Sequence, residues 1–272
     1  MDIKKAFPLT GVAMAYLMGR DPRAGLGGNA TGFYFECEGE CGYERLSAAL
    51  RKVIERQPML RTVIFPDGTQ AELRDIPEYT IPYEDLSGLS ESEREEFFRS
   101  LRKKQDHEIF PVGQWPMFRV SYYVLSSSRS RVVFSFDMML VDRFSIELLI
   151  SELHDFYMDT EAEKEPLSHS YEQYVELLGE QRALNYEKDK LFWEEHIPDM
   201  PLAPSIKLAP GDHSSARFDT RVKVLSEEVY GGLQEKLYDN RILPSVYLLY
   251  CYGSTLSRFS GSDSLSVSMT VA

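Results

Sequence analysis

Apolar residues along the chain recur at two spacings. Between positions 43 and 57 they fall at Tyr43, Leu46, Leu50, Val53 and Ile54, which places them on one face of a helix. The same spacing predicts a charged amphipathic helix over 90–105, with Phe97, Phe98 and Leu101 inward. Another is predicted over 145–158, with Ile146, Leu149, Ile150, Leu153 and Phe156 inward and Ser145 where an N-cap belongs. Thr10 is placed to cap a short helix reaching Met18. Helices are also expected over 171–195, over 226–238, and from Pro244 in a first turn to Phe259. Extended runs read differently. Positions 60–65 form one, closed by the Pro-Asp-Gly turn at 66–68. Positions 117–125 and 131–141 form two more, joined by the serine-rich stretch 126–130 as a hairpin. Positions 217–225 and 265–271 alternate apolar with polar residues, as half-buried strands do.

Alternating helical and extended segments indicate an α/β protein. The polar stretch 159–169 reads as a connector, so the expected organisation is a first lobe over 1–165 and a second portion over 166–272. That second portion holds about two strands, and two lone strands do not make an independently stable sheet. The second lobe is therefore expected to be incomplete, with its missing strands supplied by another chain, by the first lobe or by further sequence. Such a surface would also allow self-association.

Composition narrows the classes. The chain has 272 residues, 43% hydrophobic and 27% charged, as in an ordinary soluble globular protein with a real core. A net charge of −13 argues against nucleic acid as the main partner, because phosphate binding needs clustered Lys and Arg. No apolar run is long enough to span a membrane. Pro8, Gly11 and Arg20 interrupt the apolar N-terminus, so it reads as mature sequence and the protein as cytoplasmic. Three cysteines, Cys37, Cys41 and Cys251, fit reduced thiols, and no second Cys or His pair stands at zinc spacing. The five histidines are scattered in polar context and read as surface residues.

The chemistry is concentrated in DMMLVDRFS, residues 137–145, where Asp137, Asp142 and Ser145 follow a strand-like run. Two carboxylates there can serve as acid and base. They can equally cap backbone N–H groups or pair with an arginine. Asp137 is the catalytic candidate, while Asp142 and Ser145 read as structural. The pattern Asp-x4-Asp-x2-Ser resembles the signature of heterocyclization domains of nonribosomal peptide synthetases, relatives of condensation domains that carry His-His-x3-Asp-Gly at the same place. Here Asp137 and Met138 stand at the histidine positions. FPLTGVAMAYLMGR at 7–20 resembles the family's opening motif, departing at Ala13. ERQPMLRTVIFPDGTQ at 55–70 resembles its second motif, with Gln57 in the histidine place. FWEEHIPDMPLAP at 192–204 and ILPSVYLLYCYGSTLSRFSG at 242–261 resemble two later ones, in family order.

The resemblance implies a chloramphenicol-acetyltransferase-like two-lobed condensation-domain fold, with its second lobe incomplete here and a tunnel between the lobes. It implies no directly bound cofactor: substrates arrive on the phosphopantetheine arms of carrier proteins. The amine of a cysteine, serine or threonine attacks the upstream thioester. Its side chain then attacks the new amide carbonyl, and loss of water leaves a thiazoline or oxazoline. The family's cyclodehydrating threonine and aspartate, and an arginine that would partner Asp142, are expected after Ala272. Departures at Ala13 and Gln57 remove polar groups, and Arg143 would crowd the tunnel mouth, with Met138 beside it. Met1 directly before the opening motif suggests an N-terminal place in the synthetase, with an upstream subunit delivering the acyl group. Two other readings stand beside the first: a non-catalytic protein that binds carrier proteins or a synthetase subunit, and an ordinary amide-forming condensation domain.

Overall fold

The computed structural model describes residues 2–24, 27–206 and 221–269. The chain divides into two compact units, Met1–Gln181 and Arg182–Ala272. The first opens with β1 (Phe7–Pro8) and α1 (Gly11–Gly19), which Thr10 caps by accepting the Ala13 N–H at 3.3 Å. Then come β2 (Gly32–Gly39), α2 (Tyr43–Arg56), a 3₁₀ turn at Pro58–Arg61, β3 (Thr62–Ile64), β4 (Thr69–Glu72) and β5 (Tyr83–Asp85). They are followed by α3 (Glu91–Gln105), β6 (Phe118–Ser126), β7 (Arg129–Asp137) and α4 (Arg143–Met158). α5 (Tyr171–His196) begins in the first unit and ends in the second, where α6 (Glu227–Asp239) and α7 (Pro244–Ser260) follow.

Two sheets form, a small one of order β1-β4-β3 and a larger one of order β2-β7-β6-β5. The larger sheet is antiparallel except for the parallel pair β5–β6. Its two faces follow from strict alternation along β7. Val132, Phe134 and Phe136 enter the main core with Leu46, Leu50 and Val53 of α2 and Ile146, Leu149 and Leu153 of α4. Val133, on the opposite face, meets Phe98 of α3 together with Tyr123 and Leu125. Each such buried side chain contributes about 1.5–3 kcal/mol relative to exposure. α3 starts in a full capping box, in which Ser90 and Glu93 satisfy each other's backbone N–H groups.

The expected helices are present, and the two runs expected over 117–125 and 131–141 pair as a hairpin with a turn confined to Ser127 and Ser128, but the second strand ends at Asp137, where 138–140 turn away. Sequence patterning did not anticipate β1, β2, β4 or β5. The expected strand over 60–65 is shortened, because Pro58 at the first position of a 3₁₀ turn keeps Leu60 and Arg61 out of the ladder. Among the described residues, 221–225 and 265–269 belong to no strand, although the Ser266 N–H donates to the Leu202 carbonyl at 3.1 Å. The remainder of those two expected strands, 217–220 and 270–271, lies outside the described residues. In the second unit, Leu237 and Leu256 are the buried apolar side chains among the described residues.

Candidate functional site

The end of β7 sets the geometry. Asp137 is the last residue of the strand, opposite Gly32 of β2. It is 1% exposed. Its main-chain N–H donates to the Met117 carbonyl at 3.1 Å, while its own carbonyl accepts the Leu140 N–H at 3.0 Å. The chain therefore turns sharply, and Met139, Leu140 and Val141 are driven into the core. Met138 stays at the margin, its N–H donating to the Thr31 carbonyl at 3.0 Å.

Both oxygens of the Asp137 side chain are engaged. Oδ1 accepts the Met139 N–H at 3.0 Å, and Oδ2 accepts Nη2 of Arg20 in a buried ion pair. Arg20 is the C-cap residue of α1, and its Nη1 donates to the Phe110 carbonyl at 2.7 Å. Its Nε is buried with no protein partner. Burial pushes the Asp137 carboxyl above its usual range, and the Arg20 charge and the Met139 N–H offset part of that rise. Asp137 thus ties the opening motif to the end of the central strand.

Asp142 takes the capping role expected of Ser145. Asp142, not Ser145, is the N-cap of α4. Its Oδ1 accepts the Ser145 N–H at 2.7 Å. An aspartate at N-cap with its acceptor aimed at the third helical N–H outcompetes a serine at that third position, because the carboxylate also meets the positive end of the helix. The Ser145 N–H, foremost, holds the Asp142 carboxyl below its usual range. Arg143, at the first helical position, points to the surface and pairs with Glu147 one turn on at 3.2 Å. A long cation keeps its charge in water when a carboxylate stands at i+4.

Gln57 also corrects an expectation. It does not simply remove a polar group: its Nε2 donates to Oε2 of Glu152 at 2.7 Å, while Nε of Arg56 donates to Oε1 at 2.8 Å. Glu152 is 4% exposed and lies on α4, so this pair of contacts pins α2 to α4 just behind the signature. Ala13 is buried in the main core.

A cavity of about 310 Å³ opens beside the signature, with Leu140, Val141 and Ser145 among its walls and Met59 and Leu60 of the second motif facing them. A larger, more open groove of about 740 Å³ is lined by Lys4, Arg56 and Arg61, but these are already paired with Glu72 or Glu152. No residue of 137–145 lines that groove, so the smaller cavity is the candidate site. Among the described residues no cluster of three or more His, Cys, Asp or Glu could hold a metal ion. None of the described helices is long and apolar enough to cross a membrane.

Three comparisons fit this geometry. The family model described as Condensation domain matches residues 30–272. The chain is 29% identical over 273 residues to bacitracin synthase 1 of Bacillus licheniformis, covering 99% of this chain and 5% of that protein. It is 28% identical over 265 residues to phenyloxazoline synthase MbtB of Mycobacterium sp. (strain MCS), covering 96% of this chain and 22% of that protein. Its fold superimposes on the EpoB cyclization-docking bidomain from Sorangium cellulosum with a TM-score of 0.78 at 27% identity, covering 94% of this chain and 52% of that one. The chain thus spans a small part of these curated relatives and about half of that solved structure. With the signature turn, the opening and second motifs and the α/β architecture in place, the chain belongs to the condensation-domain family of nonribosomal peptide synthetases.

Proposed function

We propose that this chain is part of a heterocyclization domain, working in the cytoplasm on substrates tethered to carrier proteins. The carrying observation is the Asp-x4-Asp turn itself. Asp137 stands where amide-forming relatives carry a histidine, and its carboxyl is closed into the Arg20 pair. The similarity to a cyclization bidomain and to a phenyloxazoline synthase supports the same branch. In a 2-phenyloxazoline the carbon bearing the phenyl group is the former acyl carbonyl.

The reaction has two parts. The acceptor amine attacks the donor thioester, forming C–N and releasing the carrier thiol. The acceptor thiol or hydroxyl then adds to the new amide carbonyl, and the carbonyl oxygen leaves as water. Each step gains most from holding the reactants close and aligned. Asp137 serves here by positioning: with both oxygens taken, it fixes the turn that carries Met138 to Val141 and starts α4. The proton transfers belong to groups outside the signature.

A second reading has its own observation. Leu237 and Leu256 are the buried apolar side chains among the described residues of the second unit, whereas a chain of that size normally buries more than half its surface. A binding role toward carrier proteins or another synthetase subunit, without catalysis, follows if nothing completes that unit.

The test is reconstitution in the complete synthetase with an acyl-loaded and a cysteine-loaded carrier, read by mass. A product one water lighter than the linear amide supports ring formation. Linear amide alone supports an ordinary condensation domain, and carrier binding without product supports the second reading.

A further inference from the structure

Cys37 and Cys41 lie in one corner of the first unit, at the end of β2 remote from the signature. Gly32, at the other end of that strand, faces Asp137. Cys37 stands opposite Val132 of β7, and Val132 stands opposite Tyr122 of β6. The three side chains therefore share one face of the sheet, the face that carries Phe33 and Phe35. β2 ends at Gly39, and the chain then turns back over that row. The Tyr122 hydroxyl donates to the Cys41 carbonyl, and the Ser130 hydroxyl lies 3.3 Å from the Gly39 and Cys41 carbonyls alike.

α4 closes the corner. The Tyr157 hydroxyl accepts the Gly42 N–H at 2.9 Å and donates to the Cys41 sulfur. Both cysteines rest as free thiols. Cys37 is exposed, while Cys41 is half-buried against the main core. Burial pushes both thiols above their ordinary range. At Cys41 the Tyr157 hydroxyl offsets part of that rise, and a charge on Cys37 adds to it. The two sulfurs are thus near enough to feel each other, one open to solvent and one held behind it.

We propose that Cys37 and Cys41 form a reversible dithiol–disulfide pair that a hydroperoxide closes. The exposed Cys37 thiolate attacks one peroxide oxygen, and the O–O bond breaks. Cys37 becomes a sulfenic acid, and the other oxygen leaves as hydroxide and is protonated to water. The Cys41 thiolate then attacks the Cys37 sulfur. The S–S bond forms, and the sulfenic oxygen leaves as a second water. The two thiols lose two electrons and the peroxide gains them. A thiol reductant restores the dithiol. Gly42, next to Cys41, is the N-cap of α2, so the closed pair ties the end of β2 to the start of that helix. Because the fold already gathers the two sulfurs, the folded chain favours the disulfide more than the unfolded chain does.

The experiment uses the 272-residue chain carrying Cys251→Ser, so that Cys37 and Cys41 are its remaining thiols. Equimolar hydrogen peroxide is added, free thiols are alkylated in denaturant, and the tryptic peptide 24–45, which holds both cysteines, is weighed. The peptide is expected two hydrogen atoms lighter than its reduced form, unalkylated, and restored by dithiothreitol. In a glutathione buffer the equilibrium constant for closure is expected to be at least about tenfold larger for the folded chain than for the chain in urea. Cys41→Ser is expected to stop at a Cys37 sulfenic acid that dimedone traps. Cys37→Ser is expected to slow peroxide consumption at least about tenfold, because the remaining thiol is the shielded one. Two alkylated thiols after peroxide, a disulfide between two chains, or a closure constant no larger folded than unfolded overturns the pairing. Peroxide consumption unchanged in Cys37→Ser overturns the assignment of Cys37 as the first nucleophile.

Discussion

Arg20 and Asp137 lie 117 residues apart in sequence and form a buried ion pair. One ends the first helix and the other ends the central strand, so the pair joins two stretches that no local pattern relates. Removing either partner leaves the other charge buried and unpaired. Arg20→Ala and Asp137→Ala are each expected to destabilise the chain by about 3–5 kcal/mol, measured by urea unfolding. The double variant should cost much less than the sum, because the second substitution removes the stranded charge. Additive losses would show that the two side chains act independently.

The Asp142 cap predicts a pH effect of definite sign. Its folded carboxyl is held below the ordinary value of 3.8, so its contribution is full above that value and is lost as pH falls through the lower, folded one. Asp142→Ala is expected to cost about 1 kcal/mol at pH 7, and Asp142→Asn much less, since asparagine caps nearly as well. Near pH 2 the gap between wild type and Asp142→Ala should shrink. A gap unchanged between pH 7 and pH 2 would remove the carboxylate from the capping role.

Glu152 is the hinge between α2 and α4. Truncating it to alanine takes the carboxylate from Arg56, which keeps its bond to the Glu165 carbonyl, and leaves the Gln57 amide without its acceptor, so a loss of about 2–3 kcal/mol is expected in denaturant unfolding. Glu152→Gln keeps one acceptor oxygen and should recover part of that loss. Equal losses for the two variants would mean that side-chain volume, and not hydrogen bonding, holds the helices together.

The helices and the long hairpin could be read from spacing because each buries one continuous face, as Leu46, Leu50 and Val53 do. β2 was missed although Phe33, Tyr34 and Phe35 precede an acidic run. It is an edge strand, only partly buried, and its partner β7 lies nearly a hundred residues on in the chain, so its alternation is blurred. β5 is three exposed residues held by parallel pairing to β6, a non-local choice. The signature was legible as a motif, and its capping serine was misplaced because the Asp three residues earlier is the stronger N-cap. Arg20 was legible as the end of the opening motif, but not as the partner of Asp137. That relationship exists only once sheet and helix have packed.

The most direct measurement follows C–N bond formation and water loss separately, by single-turnover mass spectrometry, in the complete synthetase with wild-type chain and with Asp137→Asn. The account predicts a dehydrated, ring-containing product from wild type. It also predicts that Asp137→Asn lowers both steps together, in proportion to the protein that remains folded. Linear amide as the sole wild-type product would contradict the heterocyclization reading. Selective loss of the dehydration step in a fully folded Asp137→Asn would contradict the positioning role and make that carboxyl the acid.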